Sequence, residues 1–316
     1  MDTPLHPSQA AAIAHIRTAA LTLRPQSLEM INHVLYMSNA LPASATHTAL
    51  LASIRRTARV ALHFHPDRPV GDHPSVTAAL LADGIYRSQF ETGISNGGLS
   101  ARPGGARDEW ERGLFGGGYH GQGFGSSWFV LKGEVLPRCT FTFGGSADEP
   151  KWKGTMDEFD GVLAGALEDA FIRESGEKIR TGNLDYYVEA QVHGEVRLDR
   201  DVEALVADPS FRDTEVGVEM AALAERFGFP LQWHVGSEIK IEEVPHDFRG
   251  PTVRSLSERV AKDGMVTAKA IGDAVRELAR DPAAWSERGS QAHVLQELKW
   301  LWHVLVRYGK PSEPIA

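Results

Sequence analysis

The sequence predicts an α+β protein with a mixed or antiparallel strand-built centre and helical additions at the N- and C-termini. Two observations carry that reading. Residues 8–60 and the chain from 252 onward place apolar residues at spacings of three and four, the period of a helix face. The stretch between them, about 61–245, holds short β-prone runs separated by glycine-rich loops. The spacing of these runs is irregular, so neither a propeller nor a solenoid is supported. The division expected is an N-terminal helical region at 1–60, a strand-built domain at 61–250 and a C-terminal helical region at 251–316.

Taken in order, PSQAAAIAHIRTAALTL, PQSLEMINHVLYMSNAL and THTALLASIRRTARVAL predict three helices, with Pro7, Pro25 and Pro42 near their starts. The strand candidates follow: SSWFVLK, RCTFTFG, YYVEAQVHG, PLQWHVG and SEIKIEEV. Their β-branched and aromatic content, bounded by Gly and Pro, is the signal. TMDEFDGVLAGALEDAFIRES interrupts them as a helix. TVRSLSERVAKDG, TAKAIGDAVRELARD and SQAHVLQELKWLWHVLVRYG then restore the helical pattern. The last ends at Gly309 with Pro311 beyond, a normal helix stop, and its Trp300 and Trp302 read as packing residues.

Composition narrows the function. A chain of 316 residues with 42% hydrophobic and 24% charged content is long and apolar enough to bury a core. A net charge of -9 argues against coating nucleic acid or an anionic membrane surface. One cysteine, Cys139, makes no internal disulfide and no cysteine zinc site, which fits a reducing compartment. The segment MDTPLHPSQAAAIAHIRTAA lacks a basic start followed by an apolar run, and no stretch approaches the roughly 20 apolar residues that cross a bilayer. A cytoplasmic protein with no membrane partner is expected; export without a cleaved signal would leave no mark here.

The stretch ALHFHPDR, residues 61–68, supports three incompatible readings. His63 and His65 alternate as two metal ligands on one strand face would. His65-Pro66-Asp67 spells the tripeptide of a J-domain. Alternatively, the histidines and Arg68 face a phosphate-bearing ligand at a strand end. A J-domain needs a following helix rich in lysine and aromatics, but PVGDHPSVTAALLADGIYRSQFETG turns glycine-rich instead. A metal needs a third ligand, and His73, His120, His193 and His234 stand at no ligand-like spacing, so no metal is expected. The chain has no Gly-x-Ser-x-Gly elbow and no phosphate-binding Gly-x-x-x-x-Gly-Lys.

Four segments remain that make sense together: LHFHPDR; DGIYRSQFETGISNGG with Arg87; FGSSWFVLK with Ser126 and Ser127 opening an apolar strand; and YYVEAQVHGEVRL with Glu189 on a strand. In that order they resemble the toxin-related ADP-ribosyltransferases, which carry an Arg or His, a Ser-containing strand and a Glu along the chain. The resemblance covers about residues 61–210. The chain is also similar to an uncharacterised bacterial domain family with HFHPDR, QFETGISNGGL and a Trp-Glu pair before LFGG. Two departures stand out. Gly-Ser-Ser replaces the usual Ser-Thr-Ser, and Tyr187 stands where arginine- and guanine-modifying members carry Glu or Gln, which leaves the acceptor open.

The resemblance implies a split-sheet ADP-ribosyltransferase-like core and NAD as substrate. ADP-ribose would pass to a protein, nucleic acid or small molecule, or to water; the alternative is a catalytically degenerate nucleotide-binding or protein-interaction module on the same fold. It assigns catalysis to Glu189, Ser126 and Arg87. NAD binding falls to His65, Arg68, Arg87, Ser95, Asn96, Ser126 and Gln191, and HFHPDR becomes a strand edge of the nucleotide pocket. The chemistry suits these residue types. Cleaving the nicotinamide–ribose bond builds positive charge on the ribose, which a fixed carboxylate stabilises. The two charges of the pyrophosphate match the planar donor fork of an arginine. Ser95 and Asn96, beside a glycine pair, offer turn N–H groups to an anion.

Overall fold

The computed structural model describes residues 5–40, 42–87, 125–145, 151–174 and 187–312. Ser95, Asn96 and the glycine-rich run before Gly125 lie outside the described residues.

The first helix, α1 (Pro7–Met37), starts at a capping box formed by His6 and Gln9 with Pro7 at its first position. It runs through Pro25, where the sequence predicts a break between two helices. Proline removes one intrahelical N–H donor and crowds the carbonyl four residues earlier. Leu21 and Pro25 are both on the exposed side, where water replaces the lost partner, while Ala12, Ile16, Ala20, Ile31 and Leu35 hold the opposite face to the core. The third predicted helix is α2 (Ala43–Thr57), which stops at Ala58 in extended backbone rather than continuing into ARVAL.

The strand-built centre holds a four-stranded mixed sheet. β1 (Ala61–Phe64) pairs antiparallel with β3 (Ser127–Leu131), setting Phe64 opposite Ser127 and His63 opposite Trp128. β3 pairs antiparallel with β8 (Val202–Ala207), and β8 runs parallel to β9 (Leu231–Trp233). A second sheet has β4 (Cys139–Phe143) between β5 (Lys153–Thr155) and β6 (Val188–Val192), all antiparallel. A two-stranded ribbon, β2 (Ile85–Tyr86) with β7 (Val196–Arg197), joins the two sheets, for β7 follows β6 in the chain and the Tyr86 hydroxyl donates to the His63 carbonyl at 2.8 Å. The helix between β1 and β2 is α3 (Val76–Asp83), capped by Ser75 and ended by Gly84 at φ 69.

The helix predicted between the strands is α4 (Asp160–Glu174). Its first residue ties the N-terminal helices to the centre. Asp160 accepts from Arg24 of α1 at 3.0 Å and pairs with His47 of α2 at 2.8 Å, at a helix N-terminus where negative charge is favoured. The crossover from β8 to the parallel β9 is α5 (Glu215–Phe227), capped by Thr214.

The C-terminal helices are α6 (Thr252–Val260), α7 (Ala268–Arg280) and α8 (Gln291–Tyr308), close to their predicted spans. They surround Trp285, which is 1% exposed and lies under the Arg259 guanidinium at 3.6 Å. A strand pair, β10 (Glu238–Lys240) with β11 (Met265–Thr267), bridges the division at 250. One apolar cluster runs from Ile31 of α1 through Phe129 of β3 and Leu256 of α6 to Leu301 of α8. The architecture is mixed α and β with small antiparallel and mixed sheets, in keeping with the predicted class. No helix among the described residues is long and apolar enough to cross a membrane.

Candidate functional site

β6 and β4 build a buried polar row. Their register places Thr142 opposite Glu189 and Thr140 opposite Gln191, so these side chains share one face. Glu189 is 1% exposed. Its Oε1 accepts from the Gln191 Nε2 at 2.8 Å, and that orients the Gln191 amide, leaving Oε1 of Gln191 to accept from the Thr140 hydroxyl at 3.0 Å. Having donated once, the hydroxyl accepts from His193 Nε2 at 3.1 Å, so that nitrogen carries the proton. Burial, then Arg138, lowers the His193 pKa to about 4, so the ring is neutral near pH 7. The carboxylate therefore sets every hydrogen-bond direction along Glu189–Gln191–Thr140–His193. The other face of these strands is apolar. Phe141, Val188 and Ala190 line a cavity of about 480 Å³ together with Met156, Phe159 and His63.

A second group gathers on β1 and β3. Trp128 sits between two imidazoles, with His63 at 5.3 Å and His234 stacked at 4.9 Å between ring centroids. Burial pushes the His63 pKa down to about 4 against the Gly125 backbone, which raises it, with His234 a smaller lowering effect. His234 accepts at Nδ1 from the Gly236 amide at 2.9 Å, so its Nε2 is the donor to the Ser126 carbonyl at 3.0 Å. Ser126 is 2% exposed and its hydroxyl has no hydrogen-bond partner among the described residues. A buried hydroxyl with no partner is costly.

The remaining predicted residues fall in separate places. His65 meets the Trp302 edge at 5.1 Å, and burial, then Arg68 and His63, hold its pKa well below the ordinary histidine value. Arg68 is half-buried in the following turn, where its amide donates to the His65 carbonyl at 3.4 Å. Arg87, just past β2, pairs with Asp83 of α3 at 2.9 Å with 38% of its side chain exposed. Glu189 and Gln191 are thus brought into contact, and Ser126 stands at the β1–β3 end next to the HFHPDR turn. Among the described residues no group of three His, Cys, Asp or Glu is placed to hold a metal ion.

Sequence reasoning missed Thr140 and considered His193 and His234 only as metal ligands, for which their spacing is unsuited. His193 carries a readable signal, because Glu189, Gln191 and His193 alternate by two and so share a strand face, whereas Thr140 joins them only through the register of β4 with β6. His234 carries none; only the parallel pairing of β9 with β8 brings it to Trp128.

The chain matches a family described as a protein of unknown function, DUF3626, over residues 59–123, 121–176 and 174–308. The chain belongs to this family. The DUF3626 match begins after α2 and reaches the end of α8, so it takes in both polar groups described above. No curated protein matches the chain.

Proposed function

We propose that this DUF3626 protein cleaves the nicotinamide–ribose bond of NAD and passes ADP-ribose to an acceptor or to water. The observation that carries the reading is the Glu189 carboxylate, buried on a strand and oriented through Gln191 and Thr140. Such preorganisation is what stabilising a developing positive charge requires, because no reorientation is needed as the bond breaks. In this reading Glu189 faces the ribose and stabilises the charge on it. Gln191 is a positioning residue that holds one carboxylate oxygen. The orphaned hydroxyl of Ser126 takes a ribose or amide oxygen. His65 and Arg68 answer the pyrophosphate from the HFHPDR turn, with Arg87 as the other candidate cation.

Bond balance is simple. The electron pair of the broken bond leaves on the nicotinamide nitrogen. The acceptor oxygen or nitrogen bonds to the ribose carbon and gives up its proton. The order of His65, Ser126 and Glu189 along the chain, each on a strand or at its end, supports the resemblance to the toxin-related ADP-ribosyltransferases. The test is release of nicotinamide from NAD by the full chain. No release above background from purified protein at high enzyme concentration would overturn the proposal.

A further inference from the structure

We infer that helix α8 and the loop before α6 form a second anion site, which takes a ligand carrying two or more adjacent phosphates. Lys299, His303 and Arg307 recur every four residues on α8, so they form one stripe about 12 Å long. Ring contacts bring further cations to that stripe. The guanidinium groups of Arg307 and Arg249 approach the Phe248 ring at 4.8 and 5.4 Å. Trp302, next to His303, receives the His65 ring, which carries the turn with Arg68 to the same face.

Lys299 is half-buried, and among the described residues neither it nor Arg249 has a carboxylate partner. Burial, then Arg249 and Arg68, lowers the Lys299 pKa. His303 is 8% exposed, with an Nδ1 that has no hydrogen-bond partner among the described residues. Burial, then Arg249 and Lys299, holds that ring neutral, so it is able to donate to an anion without adding charge. Arg249 is also held at φ 63, a left-handed conformation unfavourable for an arginine. A chain of net charge -9 thus keeps like charges together beside an unpartnered buried donor. An anion offsets this repulsion, and a diphosphate or longer chain meets more of these cations at once than a single phosphate does.

Arg68 is shared with the NAD reading; Lys299, Arg249 and His303 are not, so the test is read on them. Titration calorimetry of the full chain with inorganic pyrophosphate measures binding without turnover, and its outcome is separate from nicotinamide release. Lys299→Ala and Arg249→Ala are each expected to weaken binding about 10-fold or more, the scale of one charge-assisted contact, and Lys299→Arg to restore most of it. Orthophosphate is expected to bind more weakly than pyrophosphate. Variants that bind pyrophosphate like wild type, equal affinity for the two anions, or no binding by wild type at millimolar pyrophosphate would each overturn the inference. Should Lys299→Ala fail to fold, the exposed Arg249→Ala decides.

Discussion

The carboxylate of Asp67 occupies the space that a β-carbon on Gly272 would take. Asp67 is 1% exposed, and its Oδ2 has no hydrogen-bond partner among the described residues, so the HFHPDR turn is pressed against the backbone of α7. An alanine inside a helix normally stabilises it relative to glycine by about 1 kcal/mol. Here the sign reverses. Gly272→Ala is expected to lower stability by about 2 kcal/mol or more through overpacking, with urea denaturation as the measurement. An unchanged or higher midpoint would mean that the turn moves aside freely.

The same contact makes stability depend on pH. Burial raises the Asp67 pKa from 3.8 to about 6, against the attraction of Arg276. A carboxyl whose folded pKa lies above its unfolded value binds more protons when folded, so its contribution falls as pH rises from about 4 to 6. The cost at pH 7 is about 3 kcal/mol. Asp67→Asn is therefore expected to gain on wild type by about that amount between pH 4 and pH 7, measured as the difference in unfolding free energy. A difference that does not vary with pH would show that Asp67 ionises without penalty.

The histidines act in the opposite direction. His63 and His193 are each lowered from 6.5 to about 4 by burial. Unfolding lets them take up protons, so the stability they contribute is present above 6.5 and is lost as pH falls toward 4. Four buried histidines, His63, His65, His193 and His303, are lowered against two raised carboxyls, Asp67 and Asp208, and the wild-type melting temperature is expected to fall below pH 6.5. His193→Gln should flatten part of that fall. A flat wild-type profile over this range would contradict neutral, buried imidazoles.

Glu189→Gln keeps an oxygen for the Gln191 amide and removes only the charge. Folding and NAD affinity are expected within a few-fold of wild type, and nicotinamide release at least ~100-fold lower, as when a stabilising transition-state charge is lost. Gln191→Leu removes one hydrogen bond to the carboxylate and should lower the rate less, with little change in KM. Near-normal turnover in Glu189→Gln would remove that residue from the mechanism.

Arg87 and Asp83 form a half-exposed ion pair that spans the Gly84 turn and β2, four residues apart in the chain. Such pairs stabilise by about 0–1 kcal/mol, so Asp83→Ala and Arg87→Ala should barely change the melting temperature. If Arg87 leaves Asp83 to grip a pyrophosphate, Arg87→Lys should weaken NAD binding by about 1–3 kcal/mol, since an ammonium keeps the charge but loses the planar fork. Arg68→Ala is the comparison. Loss of NAD affinity in Arg68→Ala but not in Arg87→Ala would assign the anchor to HFHPDR.

Local pattern was enough for most of the helices and for β3, β4, β6, β9 and β10, whereas α3, β5, β8 and β11 were not read from it. The period of α7 and α8, the β-branched run of β3 and the alternation of β6 are all written within a few residues, and short-range sterics act on that scale. Even the row Glu189–Gln191–His193 was legible as one strand face. Tertiary structure decided the rest. It kept α1 continuous through Pro25, because the buried face on either side outweighs one missing hydrogen bond on the solvent side. It ended α8 at a glycine with φ -61, so Gly309 is there because a β-carbon would strike the Leu305 carbonyl, and no left-handed turn is involved. It brought Thr140 to Gln191, His234 to Trp128, Asp67 to Gly272 and His65 to Trp302. Each of these contacts joins segments far apart in the chain, and their meeting depends on which strands pair and which helices pack, a choice made by burial over the whole molecule and carried by no single stretch of sequence.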